Sequence, residues 1–213
     1  MVEPALRKER LRDARLYVVT GARNEQGDLA EFLDAILEAG VDIVQLREKD
    51  AEAGDLLRWA EAFREAAERR GALFTVNDRA DVALAAGADG VHVGQNDLPP
   101  AFAREILGPD ALVGLSCHSQ GQLDAAAPEA DYVTAGPIHA TPTKPGRPGM
   151  GLGLVRHAAA TVDRPWLAIG GIDPETLPEI VEAGARRIVV VRAVTEAPDP
   201  AAAVRTLRAG LPG

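Results

Sequence analysis

The sequence predicts a single (β/α)8 barrel, in which eight parallel strands alternate with helices around one core. Four stretches share a pattern in which an Ala/Gly-rich helix end leads into a short β-rich run; they span 38–46, 85–93, 127–135 and 182–190. The runs are continuously apolar, as expected of parallel strands that are buried on both faces. Eight such units within 213 residues predict one barrel domain over the whole chain, 1–213.

The strand candidates follow one another along the chain: Leu16–Thr20, Ile43–Leu46, Leu73–Val76, Gly90–Val93, Leu112–Leu115, Tyr132–Ala135, Trp166–Ile169 and Ile188–Val191. Helical patterns separate them, for example at Asp28–Ala39, Asp55–Arg70 and Pro174–Ala183. We expect Asp173 to cap the last of these helices and Pro174 to begin it. An open doubly wound sheet alternates in the same way, but the count of eight and the polar residues at nearly every strand end favour the closed barrel.

Residues 1–15 are predicted to form an N-terminal helical extension. They carry both charge signs and no long apolar run, so they match neither a signal peptide nor a membrane span. We expect Leu6 and Leu11 to lie on one side of a short helix that covers an end of the barrel.

The composition restricts the partners. With 32 acidic and 23 basic side chains, the formal charge is −9, which argues against nucleic acid because nucleic acids bind basic surfaces. A small anionic substrate stays compatible, since a pocket can be locally cationic. The single cysteine, Cys117, excludes an internal disulfide and fits a cytoplasmic protein. The sequence leaves a homo-oligomer open.

Two cations and an amide follow the second strand. Gln45, Arg47 and Lys49 share one face because side chains alternate along a strand. In this fold the carboxyl ends of the strands carry the active site, and Arg and Lys there can bind phosphate. The sequence therefore predicts an anion-binding site, with a salt-bridged structural cluster as the alternative.

Two aspartates follow the third and fourth strands. Asp78 comes directly after Asn77, and Asp97 lies in the segment after the fourth strand. Mg²⁺ commonly binds one or two carboxylates together with substrate phosphates. Because the two carboxylates face the Arg/Lys group, we predict a magnesium–diphosphate site, whereas either aspartate alone would suit a helix cap.

After the fifth strand, Ser116 is predicted to be a hydrogen-bonding residue of the pocket. The neighbouring Cys117 and His118 are not predicted to form a nucleophile pair, because sequence neighbours need not face each other and no third orienting group is evident. We expect Cys117 to be a packing residue and Ser119 to cap the next helix.

The segment after the sixth strand, 136–149, is long and rich in proline, as binding loops often are. Thr141, Thr143 and Lys144 place two hydroxyls and a cation within four residues, a set that can bind phosphate, and Arg147 is close to them. A solvated flexible loop is the alternative.

The ends of the seventh and eighth strands complete the predicted site. Barrels frequently bind phosphate between these two loops through backbone N–H groups. Gly171 permits close approach of the backbone to a ligand, and Val191 and Arg192 follow the eighth strand.

These residues together resemble the thiamine phosphate synthase family over nearly the whole chain from Leu16. The matching pieces, in order, are Gln45–Lys49, Asn77 with Asp78, His92–Asp97, Ser116, Gly136–Ile138, Thr141–Lys144, Ile169–Ile172 and Val191. Each piece is short, but their order and spacing are specific.

The resemblance implies a transferase that joins a hydroxymethylpyrimidine diphosphate to a thiazole phosphate, or to its carboxylated form, with release of diphosphate. By analogy, Gln45, Arg47, Lys49, Asn77 and Lys144 would hold the pyrimidine diphosphate. Asp78 and Asp97 would bind Mg²⁺, and Ser116 would lie beside the pyrimidine. The thiazole phosphate would be held by Thr141, Thr143, Gly171, Val191 and Arg192. The family commonly has serine where this chain has Arg192, so a side-chain role for that position is left open.

The resemblance also implies a dissociative mechanism, in which diphosphate leaves before the thiazole nitrogen attacks a pyrimidine methyl cation. Arg47, Lys49, Ser116 and Lys144 are the catalytic candidates. Three alternatives remain: a thiazole tautomerase, a phosphosugar isomerase or epimerase barrel, and a non-catalytic sensor of thiamine phosphate.

Overall fold

The structure, a computed structural model, describes residues 4–140 and 149–213. Eight parallel strands close into one barrel in chain order, so that the eighth strand pairs with the first. The strands are β1 Leu16–Thr20, β2 Ile43–Leu46, β3 Leu73–Asn77, β4 Gly90–Val93, β5 Leu112–Cys117, β6 Tyr132–Ala135, β7 Trp166–Ile169 and β8 Ile188–Val190. The prediction of a (β/α)8 barrel is confirmed, and the open sheet is excluded.

Helices surround the barrel. They are α1 Pro4–Asp13, α2 Leu29–Glu38, α3 Ala53–Arg70, α4 Ala80–Ala85, α5 Pro100–Leu107, α6 Gln120–Asp124, α7 Leu152–Thr161, α8 Leu177–Glu182, α9 Arg192–Thr195 and α10 Pro200–Gly210. In the described part of the chain, none of them is long and apolar enough to cross a membrane.

The predicted start of α8 is wrong. This helix begins at Leu177, with Thr176 as its N-cap residue, rather than at Pro174. Asp173 instead closes a turn, because its Oδ1 accepts hydrogen bonds from the backbone N–H groups of Glu175 and Thr176, at 3.0 and 2.8 Å. An aspartate followed by proline favours both a turn and a helix start. Here these residues form a turn, and the helix begins only after it.

The apolar residues divide into two layers. The larger layer lies between the outer faces of the strands and the helices. A smaller cluster fills the inside of the barrel, and it includes Tyr17, Ile43, Leu73, Leu112, Tyr132, Leu167 and Val189. Since this interior is packed with side chains, ligands can enter only at the barrel ends.

Helix α1 closes the end of the barrel at which the strands begin. Leu11 belongs to the interior cluster, and Arg7 Nε forms a 2.7 Å ion pair with Asp89, just before β4. The prediction of a covering helix is confirmed for Leu11. Leu6 does not join it, because 38% of its surface is exposed.

Gly114 in β5 is required by the packing inside the barrel. A Cβ at this position would overlap with Tyr132 and with His92 Nδ1. We expect Gly114→Ala to lower the free energy of unfolding by about 1–3 kcal/mol, the usual effect of overpacking a core. Chemical denaturation would measure this.

Gly153→Ala is the matched control. Gly153 lies in α7, and a Cβ there meets nothing within 4 Å. Because alanine favours helix more than glycine does, this variant should gain up to about 1 kcal/mol. A Gly114→Ala protein as stable as the Gly153→Ala protein would contradict the claim that packing inside the barrel requires glycine at position 114.

Candidate active site

A chain of hydrogen bonds crosses the inside of the barrel beneath its mouth. Gln45 Nε2 donates to Tyr17 Oη at 2.6 Å, and the same phenol oxygen lies 2.6 Å from Thr75 Oγ1 and 3.3 Å from Tyr132 Oη. Burial raises the pKa of both tyrosines, so they are neutral hydrogen-bonding groups. Because buried polar groups need partners, this network fixes the position of Gln45.

The network continues to the mouth through His92. Its Nδ1 lies 3.2 Å from Tyr132 Oη, and its Nε2 lies 2.9 Å from Ser116 Oγ. Gln95 Nε2 donates to the backbone oxygen of Ser116 at 2.7 Å. Ser116 is therefore held on two sides at the point where a ligand would meet the barrel interior.

Two neighbouring cavities open at the carboxyl ends of the strands. The smaller one, about 120 Å³, is lined by Gln45, Arg47 and Asn77 among others. The larger one, about 270 Å³, is lined by the ends of β7 and β8. Ser116 and Val191 line both cavities, so two small ligands could lie in contact with each other.

The structure brings one of the predicted cations, Arg47, to the smaller cavity. Arg47 lies on its wall beside Asn77, and no side-chain hydrogen bond or ion pair of Arg47 occurs within residues 4–140 and 149–213. Lys49 Nζ lies 2.9 Å from Asp78 Oδ2. Arg47 is therefore a cation available to an anionic ligand, whereas Lys49 already neutralises part of the carboxylate charge.

Asp78 and Asp97 come together as predicted. Burial raises the pKa of Asp78, and the Asp97 carboxyl group raises it further, while Lys49 acts in the opposite direction. Asp97 Oδ2 also accepts a hydrogen bond from the Gly94 N–H at 2.9 Å, which fixes the segment after β4. Two adjacent carboxylates that repel each other suit a divalent cation, which would remove the repulsion.

The backbone of Asp78 is strained in the same place. Its φ of +61° lies in the left-handed region, which is uncommon for residues other than glycine, although Asp and Asn tolerate it. Such strain persists where surrounding contacts impose it, often at functional sites. The Asp78 N–H donates to the His92 backbone oxygen at 2.9 Å, which links this residue to the strand that carries the buried histidine.

The raised pKa of Asp78 leads to a stability prediction for the metal-free protein. At pH values below the ordinary pKa of 3.8 the carboxyl group is protonated in both states. As the pH rises through the raised pKa, the folded state holds a proton that the unfolded state releases, and stability falls. Asp78→Asn cannot undergo this loss of stability. With EDTA, its melting temperature should therefore be higher than that of the original protein at pH 7, and the difference should shrink as the pH is lowered toward 4.

Asp81→Asn is the control for that measurement. Arg79 lowers the pKa of Asp81 through a hydrogen-bonded pair, so its ionised form is stabilised by folding. The variant should therefore melt at the same temperature as the original protein or below it. If Asp78→Asn also failed to raise the melting temperature, neither burial nor the neighbouring Asp97 would be destabilising the ionised Asp78 carboxyl group.

The glycines after β7 pack against the exit of β6. The N–H of Ile138 donates to the Ile169 oxygen, and the N–H of His139 donates to the Gly170 oxygen, at 2.9 and 3.0 Å. Gly171 has a φ of +65°, and a Cβ there would lie 2.7 Å from His139 Cβ. Glycine at 171 therefore keeps the backbone exposed on the wall of the larger cavity.

The eighth strand ends earlier than predicted, at Val190, and Val191 becomes the N-cap residue of α9. Arg192 is exposed and lines the larger cavity together with Gly171 and Ala193. Because the first turn of a helix leaves N–H groups without intrahelical partners, this wall offers donors to an anion.

The predicted roles after β5 agree with the structure. Burial raises the pKa of Cys117 to about 11, so the thiol is a packing group rather than a nucleophile. Ser119 Oγ accepts from the Gln122 N–H and caps α6. His118 Nδ1 contacts the Gly136 oxygen, whereas Cys117 Sγ donates to the Gln122 oxygen. The imidazole and the thiol therefore have different partners.

Three predicted site residues lie outside the described residues: Thr141, Thr143 and Lys144. The sequence analysis, in turn, missed Tyr17, His92 and Tyr132 as parts of the site. The signal for His92 was present, since it is a polar residue inside an apolar strand. Among the described residues no group of three or more His, Cys, Asp or Glu side chains could hold a metal ion.

Comparison with known proteins gives consistent matches. The family profile described as thiamine monophosphate synthase matches residues 16–194. A thiamine-phosphate synthase of Acidothermus cellulolyticus is 56% identical over 207 residues, covering 96% of this chain and 98% of the relative. One of Streptomyces avermitilis is 57% identical over 203 residues, covering 94% of each. The solved structure of a thiamine phosphate pyrophosphorylase from Pyrococcus furiosus superposes with a TM-score of 0.84 at 33% identity, covering 95% of this chain and 96% of that one.

Proposed function

This chain belongs to the thiamine monophosphate synthase family, an enzyme family of transferases, and from that premise we propose its reaction and the roles of its residues. The reaction joins 4-amino-2-methyl-5-hydroxymethylpyrimidine diphosphate to thiazole phosphate, or to its carboxylated form, and releases diphosphate. The observation that supports it best is the pair of cavities that meet at Ser116 and Val191, since this reaction needs two small substrates in contact.

The smaller cavity is the proposed site of the pyrimidine diphosphate. Arg47 and Asn77 line it and can donate to phosphate oxygens, while Gln45 lines it with its Nε2 already engaged by Tyr17. Ser116, fixed by His92, would contact the pyrimidine ring. Lys144 is proposed as a further cation for the diphosphate on the strength of its sequence match alone.

The larger cavity is the proposed site of the thiazole phosphate. Gly171 and Val191 place backbone groups on its wall, and Arg192 adds a guanidinium group near the same phosphate. Thr141 and Thr143 are proposed as additional hydrogen-bond donors from the sequence match.

Mg²⁺ is the proposed cofactor, and two adjacent carboxylates fit it because this ion prefers oxygen ligands. Asp78 and Asp97 would hold it. When bound, the ion would supply positive charge to the oxygens of the leaving diphosphate.

The proposed mechanism is dissociative. The bond between the pyrimidine methylene carbon and the diphosphate oxygen breaks, and the diphosphate leaves with the electron pair. The electron-rich pyrimidine stabilises the resulting cation, which the thiazole nitrogen then captures. Arg47 and Lys49 stabilise the charge that grows on the diphosphate, and the two adjoining cavities hold the reactants in place. No general base or nucleophile is needed, in agreement with the inert Cys117.

One incubation tests this function. The purified protein, both substrates and Mg²⁺ should yield thiamine phosphate and diphosphate, detected by mass, and omission of either substrate should abolish product. Isomerisation of the thiazole substrate alone would indicate a tautomerase. Tight binding of thiamine phosphate without turnover would indicate a sensor. The relatives named as synthases at 56–57% identity favour the first outcome.

We also propose a cytoplasmic location, which the single buried cysteine supports. The acidic charge of −9 supports small molecules rather than nucleic acid as partners. A homo-oligomer remains compatible with these features.

A further inference from the structure

A third cavity lies at the opposite end of the barrel from the two described above, where the strands begin. Arg15 directly precedes β1, Arg187 directly precedes β8, and Arg12 lies in the last turn of α1. Together with Arg186 they line a depression of about 230 Å³, which we call the arginine cavity. Its other lining residues are Asp13, Pro212 and Gly213.

Only part of this cationic surface is used by the fold. Arg15 Nη1 donates to the Pro212 oxygen and Arg187 Nη2 donates to the Arg12 oxygen, both at 2.7 Å. These bonds tie the chain ends to the barrel. Arg187 Nε is buried and has no hydrogen-bond partner in the described part of the chain. No ion pair joins any of the four guanidinium groups to a carboxylate among residues 4–140 and 149–213.

The local charge is opposite to that of the whole chain. Four arginine side chains line the cavity, and Asp13 is the one acidic side chain among its lining residues, in a protein of formal charge −9. Burial lowers the pKa of Arg187, and the neighbouring Arg15 and Arg186 lower it further, while Asp13 acts in the opposite direction. Like charges in a partly desolvated cavity repel one another, and an anion would relieve that repulsion.

We propose that the arginine cavity binds a small phosphate-bearing anion of about the size of diphosphate, at a site separate from the active site. Guanidinium groups bind phosphate oxygens through two parallel hydrogen bonds, and the exposed side chains of Arg12 and Arg186 are available for such bonds. The volume is below the roughly 300–1,000 Å³ of sites for drug-sized ligands. Phosphate or diphosphate therefore fits, whereas the base of a nucleotide would lie outside.

The binding site can be tested by nuclear magnetic resonance on the intact protein. Inorganic phosphate, diphosphate and adenosine monophosphate are titrated separately in EDTA, and backbone amide signals report each position. We expect the amides of Arg15 and Arg187 to shift with diphosphate, and to shift less with phosphate because it carries less charge. The amide shifts caused by adenosine monophosphate should match those caused by phosphate, because only its phosphate group enters the cavity.

Two double variants that remove the same charge distinguish binding in the arginine cavity from an effect of the net charge of the protein. Arg12→Gln with Arg186→Gln removes two exposed cations that have no described partner. Arg156→Gln with Arg205→Gln removes two exposed cations from α7 and α10. The first should weaken diphosphate binding reported by the Arg187 amide at least about tenfold, roughly the loss of one charge-assisted hydrogen bond. The second should leave that binding unchanged, and both should keep turnover.

Three results would overturn the proposal. One is the same diphosphate affinity at the Arg187 amide in both double variants, which would mean that only net charge matters. Another is an amide shift confined to Gly171 and Ala193, which would place the anion at the active site alone. The third is the absence of any shift at Arg15 and Arg187 with diphosphate concentrations in the millimolar range.

Discussion

Asp78→Asn should reduce kcat/KM by about 10²–10³-fold, because it removes one of two carboxylates that would hold the divalent cation. The estimate follows from the usual 2.7–4 kcal/mol lost with one preorganised electrostatic group. Asparagine is the informative replacement. It tolerates the left-handed backbone that Asp78 adopts at φ +61°, so the loop should keep its shape while the charge is lost.

The measurement is steady-state turnover as a function of Mg²⁺ concentration. For Asp78→Asn we expect a higher Mg²⁺ requirement together with a lower maximal rate, since Asp97 alone cannot replace the pair. Asp81→Asn serves as the control, because Asp81 is exposed and pairs only with Arg79 among the described residues. Near-normal turnover of Asp78→Asn at unchanged Mg²⁺ dependence would remove Asp78 from the metal site.

The same variant should gain thermal stability in EDTA while it loses activity. Both effects have one origin, which is that folding buries the Asp78 carboxyl group and places it beside the Asp97 carboxyl group. A folded protein maintains such an unfavourable contact when a ligand compensates for it. The opposite signs of the two effects therefore distinguish a binding site from a structural ion pair, whose removal would lower both stability and activity.

Arg47→Gln should reduce kcat by about 30- to 10³-fold with little change in melting temperature. The Arg47 side chain lines the smaller cavity and has no hydrogen bond or ion pair within the described residues, so folding depends on it weakly. The charge on the leaving diphosphate, by contrast, grows as the bond breaks, and loss of one preorganised cation costs about 2–4 kcal/mol of barrier.

Two comparisons make this prediction specific. Arg47→Lys keeps the charge but not the two-pronged geometry, so its turnover should lie between those of the original protein and Arg47→Gln. Arg58→Gln, on the exposed surface of α3, should leave turnover unchanged. A large fall in melting temperature for Arg47→Gln, with normal turnover of the folded fraction, would identify Arg47 as a structural residue instead.

Much of the barrel could be predicted from local patterns. The eight strand candidates all form strands, although β3 and β5 extend one and two residues further and β8 stops one residue earlier. The start of α8 was misplaced because Asp173 can cap either a turn or a helix, and the choice depends on how the chain leaves β7. The candidate site residues could be placed at the strand ends because their positions follow directly from strand order.

The buried network could not be predicted in the same way. Gln45 is predicted to bind a ligand, but the sequence did not indicate that its amide nitrogen also donates to Tyr17. Tyr17 and Tyr132 are separated by 115 residues along the chain. Nothing local to either tyrosine says that the two phenols meet inside the barrel.

The sequence by itself determined the fold class, because hydrophobic period and strand order are properties of consecutive residues. Its motifs, by their resemblance, also indicated the family and the end of the barrel at which we propose that the chemistry takes place. Only the tertiary structure decided which charges meet. Closing β8 against β1 brings Arg12 and Arg15 beside Arg186 and Arg187, and the pairing of β3 with β4 brings Asp78 to Asp97. Electrostatic coupling depends on distance and burial in space, which a linear order of residues does not specify.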